Sequence, residues 1–115
     1  MTQVLSIAGS DSCGGAGLQA DLKTFAAFGV DGATVVTAVT AQNTAGVRAI
    51  APMSAAMVQA QMDAVFEEMA IDAVKLGMLA SADIVATIAR QLEHRRPLFV
   101  VIDPVLLATS GAQLL

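Results

Sequence analysis

The chain has a single cysteine, Cys13, so an internal disulfide is impossible, and a reducing, cytoplasmic setting is expected. It also has a single histidine, His94, which leaves neither a zinc-type ligand cluster nor a Ser-His-Asp set. Basic residues are few. Six Lys and Arg against ten Asp and Glu give a net charge of −4, which argues against nucleic acid or an anionic membrane as partner. No apolar run reaches the ~18 residues of a membrane span, because polar residues or glycine interrupt each one. The N-terminus lacks a basic segment followed by a long apolar one, so no signal peptide is expected. No G-x-x-x-x-G-K-[ST] occurs, which excludes a P-loop nucleotide site. Aromatic residues are scarce, and 23 alanines inflate the 56% hydrophobic share. The 115 residues suit one domain with a modest core.

What is present alternates between strand and helix patterns. Val4–Ala8 is an apolar strand. Leu18, Leu22, Phe25 and Ala26 recur at helical spacing until Gly29 stops the helix. Residues 33–40 are rich in Val and Thr and predict one buried strand. Val47–Ile50 predicts a short extra strand ending at Pro52. Ser54 is placed to cap a helix carrying Val58, Met62, Val65, Phe66 and Met69 on its inward face. Met53 and Met57 are likewise expected in packing roles. Ala73–Leu76 is a strand. Ser81 is placed to cap a helix with Ile84, Val85, Ile88 and Leu92 inward, closed by His94, Arg95 and Arg96 as a solvated basic end. Beyond Pro97, Leu98–Ile102 is a further strand. This βαβαβαβ order predicts an α/β fold: a parallel sheet with helical crossovers, covered on both faces. No linker, repeat or low-complexity tract interrupts it. The end from Ala112 to Leu115 has neither a polar tail nor a closing helix, so a domain cut short is expected.

Chemistry is expected at the carboxyl ends of the strands, where open α/β sheets bind ligands. Gly9 and Asp11 follow the first strand there, Gln42 and Asn43 the second, Gly77 and Met78 the third, and Asp103, Val105 and Ser110 the fourth. The first loop, Gly9 to Gly17, is glycine-rich and opens onto a helix N-terminus. Its backbone can turn sharply and come close to a bound group, often one near phosphate. The Gln42 amide offers both a donor and an acceptor. Met78 can lay its thioether on a flat ring, and Val105 can supply backbone and an apolar wall. Asp21 has two readings, a pocket residue or a carboxylate favoured by the helix dipole. Asp103 can face Mg²⁺ or cap its loop, and Asp11 can structure its loop or bind a ligand. Lys23 reads as a solvated helix lysine. Cys13 receives no catalytic role, since nothing near it in sequence lowers its pKa. Gly15 to Ala20 formally fits G-x-G-x-x-A, the dinucleotide fingerprint, but its glycines come late after the strand and no acid awaits a ribose.

The run from Ala8 to Gly17, AGSDSCGGAG, followed by QADLKTF from Gln19 to Phe25, resembles a known N-terminal signature. It is that of the hydroxymethylpyrimidine/phosphomethylpyrimidine kinases, thiamin-pathway enzymes of the ribokinase-like superfamily. Residues 37–44, TAVTAQNT, then KLGML from Lys75 to Leu79, Asp103-Pro104-Val105 and Ser110-Gly111 match in order. The resemblance covers essentially all of the chain and about the first half of the family's length. It implies that residues 1–115 are the N-terminal part of a single ribokinase-like three-layer domain. It implies ATP- and Mg²⁺-dependent phosphorylation of 4-amino-5-hydroxymethyl-2-methylpyrimidine and of its monophosphate, a phosphotransfer to an alcohol; some relatives accept pyridoxine-type alcohols. Gln42, Gly9, Asp21, Met78 and Val105 are then substrate-binding residues, with Gln42 pairing to the aminopyrimidine edge. The resemblance places the family's base, anion hole and Gly-Thr-Gly-Cys segment beyond Leu115. No catalytic residue is therefore expected in this sequence, nor turnover by the chain alone. A homo-oligomer is also implied. The rival expectations are a non-catalytic pyrimidine-binding or assembly fragment and, more distantly, a dinucleotide binder.

Overall fold

The computed structural model describes residues 1–103. Pro104, Val105, Ser110, Gly111 and the end from Ala112 to Leu115, all singled out in the sequence, lie outside the described residues. In chain order the elements are β1 (Gln3–Ala8), α1 (Gly17–Ala27), β2 (Asp31–Val36), β3 (Ala38–Asn43), β4 (Gly46–Pro52), α2 (Ala55–Glu68), β5 (Ala73–Leu76), α3 (Ala82–Arg95) and β6 (Phe99–Ile102). The strands β2, β1, β5 and β6 form a parallel sheet in that order. The chain leaves β1 toward β2 but leaves β5 toward β6. The winding therefore reverses between β1 and β5, and their carboxyl ends flank a crevice.

Strand alternation sorts the side chains between two faces. Leu5 and Ile7 of β1, Val35 of β2, and Val74 and Leu76 of β5 pack with Val58 and Met62 of α2 and Ile84 and Ile88 of α3. Burying each such side chain contributes about 1.5–3 kcal/mol. The opposite face of β1 and β5 carries Ser6 and Lys75, which both bond to Asp21 of α1. The serine caps form as expected: Ser54 Oγ accepts from Met57 N at 3.0 Å and Ser81 Oγ from Ile84 N at 3.2 Å.

Several expectations are corrected. Residues 33–40 are not one strand. Thr37 ends it: its N–H makes the last bond of the β1–β2 ladder, to Ala8 O at 2.9 Å, while its hydroxyl donates to Met78 O at 2.6 Å and its carbonyl accepts from Met53 N at 2.8 Å, both outside the sheet. Beyond it, β3 leaves the main sheet and pairs antiparallel with β4 as a separate hairpin. Gln42 and Asn43 therefore sit inside β3 and not past a strand end. Val85 is partly exposed, because it lies one step of about 100° off the Ile84–Ile88 seam. Met69 is the extended residue after α2, and Met57 is half exposed on its outer side. The basic end of α3 is not simply solvated: Arg95 bonds Asp63 at 3.1 Å and lies over the Phe66 ring, tying α3 to α2. The sheet is not covered throughout either, since Phe99 and Ile102 of β6 are 67% and 66% exposed. Among the described residues, no helix is long and apolar enough to cross a membrane.

Candidate functional site

The glycine-rich loop is organised from within. Asp11, only 6% exposed, aims its carboxylate back at the loop, accepting from Ala16 N at 2.8 Å and Cys13 N at 3.3 Å. Gln19 of α1 holds the same residue from the other side, its Oε1 accepting from Asp11 N at 2.8 Å. Lys23, read from sequence as solvated, donates to Gly14 O at 2.9 Å and braces the loop from outside. α1 has no side-chain N-cap; Leu18 N instead bonds to Gly9 O at 3.0 Å. Two of the loop's donors, Cys13 N and Ala16 N, are thus turned onto a carboxylate of its own. A phosphate cradle needs those N–H groups free and no anion beside them, so the loop does not fit phosphate. The same charge opposes the pyrophosphate of a dinucleotide.

The crevice between β1 and β5 is closed by contact. Gly9 lies directly under the Met78 thioether, and a Cβ on Gly9 would overlap the Met78 methyl. Met78 is buried, with its carbonyl held by Thr37. Beside this pair, β3 is stitched to the loop. Thr40 N donates to Ser10 Oγ at 2.9 Å and Thr40 Oγ1 to Ser10 O at 2.6 Å. Ser12 Oγ donates to Thr40 O at 2.9 Å and accepts from Gln42 N at 3.3 Å. A bulge between Ala41 and Gln42 re-aims the Gln42 side chain, whose Nε2 reaches Thr40 Oγ1 at 2.8 Å and Ser10 O at 3.3 Å. Between loop and hairpin tip lies an open cleft of about 500 Å³, lined by Asp11, Cys13, Gly15, Gln42, Asn43 and Val47, among others.

The structure therefore brings Gly9, Met78 and Gln42 to one rim. Asp21 is not among the residues that line the cleft. Its carboxylate accepts from Ser6 Oγ at 2.6 Å and pairs with Lys75 Nζ at 3.0 Å, on the α1 face of the sheet. Lys75, which sequence reasoning passed over, thus ties β5 to α1. Its signal was a lone charge within an apolar strand, where a partner is required. Lys75→Met should cost about 1–3 kcal/mol in urea denaturation, since it strips Asp21 of its cation; a change under ~0.5 kcal/mol would mark the pair as merely superficial. Thr40, Ser10 and Ser12 were also missed. For Thr40 the clue was its i, i+2 spacing from Gln42, which puts both on one strand face.

Asp103 follows β6 and bonds through its N–H to Leu76 O at 2.9 Å. No three His, Cys, Asp or Glu side chains gather into a metal site among the described residues. A lone exposed carboxylate can supply one ligand to Mg²⁺, which is held by one or two carboxylates together with substrate phosphates. With the loop closed on Asp11, residues 1–103 do not by themselves fit a nucleoside triphosphate or its metal.

A family model described as phosphomethylpyrimidine kinase matches residues 11–115. The chain belongs to that family. Among its phosphomethylpyrimidine kinase relatives, the hydroxymethylpyrimidine/phosphomethylpyrimidine kinase of Rhizobium meliloti strain 1021 is 59% identical over 111 residues, 96% of this chain and 41% of the relative. The crystal structure of phosphomethylpyrimidine kinase from Clostridium difficile 630 superposes with a TM-score of 0.91 at 47% identity, covering 99% of this chain and 49% of that one. Pyridoxal kinase from Staphylococcus aureus, in complex with AMP-PCP and pyridoxal, superposes at 0.81 with 32% identity, covering 91% of this chain and 40% of its own. The chain thus spans less than half the length of these relatives. The α/β fold expected from sequence matches these solved kinases.

Proposed function

We propose that this chain supplies the pyrimidine-binding part of an ATP-dependent kinase acting on 4-amino-5-hydroxymethyl-2-methylpyrimidine and its monophosphate in thiamin biosynthesis. The observation that carries this reading is the convergence of Gln42, Gly9 and Met78 at one rim, beside an open cleft. Gln42 presents a polar atom to the edge of a heterocycle. Met78 offers a polarizable thioether to its face. Gly9 leaves the room that the Met78 side chain occupies. In this reading Val105 completes the apolar wall, and Asp21 acts from behind the loop through Ser6 and Lys75. ATP supplies the phosphoryl group, and Asp103 is the residue proposed to face Mg²⁺. Phosphoryl transfer is mostly positioning and charge stabilisation, and the described residues offer no free anion hole for it. The base and anion hole belong, in this proposal, to the part of the kinase that follows Leu115 in its longer relatives. Turnover by these 115 residues alone is therefore not expected.

The similarity to pyridoxal kinase favours a second reading, a flat hydroxymethyl heterocycle of the pyridoxine type. A cytoplasmic homo-oligomer belongs to the same proposal, and the free Cys13 suits a reducing compartment. Isothermal titration calorimetry with the aminopyrimidine alcohol, pyridoxine, ATP and NAD tests the proposal. Binding of the aminopyrimidine with no heat from NAD is expected. Binding of NAD alone would overturn the reading, and rapid phosphate transfer by the isolated chain would overturn the claim that it is inactive alone.

A further inference from the structure

The Thr40 hydroxyl has one proton, and at 2.6 Å that proton goes to Ser10 O. Its lone pairs are therefore what faces Gln42 at 2.8 Å. The other neighbour of the Gln42 amide at this end, Ser10 O at 3.3 Å, is a carbonyl and can only accept. Two acceptors flank one end of the amide, so that end must be the NH₂ group. A flipped amide would set its oxygen against two oxygens, losing two hydrogen bonds and adding repulsion. Thr40 is itself only 4% exposed and anchored through its N–H to Ser10 Oγ, so it cannot swing away to relieve a flip. Among the described residues, no group donates to Gln42 Oε1, and Gln42 lines the cleft.

We propose that Thr40 is a positioning residue that locks the Gln42 amide with its carbonyl oxygen free for the ligand, so that the site selects a heterocycle edge carrying a hydrogen-bond donor such as an exocyclic amine. This deepens the function proposed above and rests on it. Gln42 then serves as an acceptor and not as the two-way partner the sequence allowed. An oxo group in place of the amine would meet Oε1 oxygen to oxygen, and a site built around a hydrogen bond rejects such an analogue strongly.

Two measurements test the assignment separately from the function. The first needs no ligand. In the free chain the inward proton of the Gln42 side-chain NH₂ should exchange with solvent at least ~10-fold more slowly than those of an exposed glutamine, because Thr40 Oγ1 and Ser10 O hold it. Thr40→Val should erase that protection and Thr40→Ser should keep it. The second is calorimetry with 4-amino-5-hydroxymethyl-2-methylpyrimidine and its 4-oxo analogue. The unmodified chain should prefer the amine by about 100-fold. Thr40→Val should cut the preference about 10-fold or more, with Thr40→Ser restoring it. A purely structural role would weaken both ligands alike and leave the ratio unchanged, which overturns the proposal. Fast exchange of the Gln42 amide in the unmodified chain overturns it as well, and this readout decides even if Thr40→Val does not fold. Binding of neither ligand would sink the proposed function, and the amide exchange would still rule on Thr40.

Discussion

Gly17→Ala should destabilise the chain by about 2–4 kcal/mol, a large share of the stability of a domain this size. Gly17 opens α1 with φ +59°, a left-handed conformation that costs an alanine roughly 1–2 kcal/mol. A Cβ there would also overlap the carbonyl oxygen of Gly9, which is backbone and accepts the 3.0 Å bond from Leu18 N. Either the loop or the first turn of α1 must move, and Gly9 would move from under Met78. Gly29→Ala is the matched control. Its φ of +70° is as unfavourable, but nothing stands within 4 Å of the new methyl. It should cost only about 1–2 kcal/mol, the conformational part alone. Urea denaturation of the two variants, with unchanged m-values, isolates the steric contribution. Equal losses would show that the Gly9–Gly17 approach does not matter.

Asp11→Ala is expected to act on stability and on the cleft together. Removing the carboxylate deprives Ala16 N and Cys13 N of their acceptor beside a nearly buried centre. Hydrogen bonds to a charged group are each worth about 1.5–3 kcal/mol, and water reaching the exposed side of the loop recovers part of that. A net loss of about 2–4 kcal/mol is expected in urea denaturation. Ser10 and Ser12, which flank Asp11, hold Thr40 and Gln42, so affinity for the aminopyrimidine alcohol should fall at least ~10-fold. Asn is not a rescue: its amide offers one acceptor and turns donors toward the other N–H. A folded Asp11→Ala variant within ~0.5 kcal/mol and of unchanged affinity would refute the view that this loop is built around its own anion.

Elements whose pattern is local were legible in the sequence. β5 runs from Ala73 to Leu76 as expected, because a short apolar run between a helix and Gly77 has few alternatives. Ser54 and Ser81 marked their helix starts, since a cap requires only a side chain and an N–H three residues on. Residues 33–40 were not legible as two strands. Val and Thr favour extended backbone on either side of Thr37, and propensity is silent about which strand is the partner. The break is made by Met78 O and Met53 N, from segments 41 and 16 residues away. Lys23 is an exposed helix lysine as expected, but its bond to Gly14 O was not legible for the same reason, because the acceptor is a carbonyl of a folded loop. At the site, Gln42 was recognisable as a polar residue near a rim. The direction in which its amide points depends on a hydroxyl proton that Ser10 O claims.

From the sequence alone came the alternation of strand and helix and the family, because these follow from periodicity and from residue order along the chain. Only the tertiary structure decided that β3 leaves the sheet, that Asp11 closes the glycine loop on itself, and that Lys75 answers Asp21 across the α1 face. Those outcomes turn on which donor meets which acceptor between segments far apart in the chain. Backbone and side-chain polar groups must all be satisfied at once, and that condition can be solved only when the whole fold is in place.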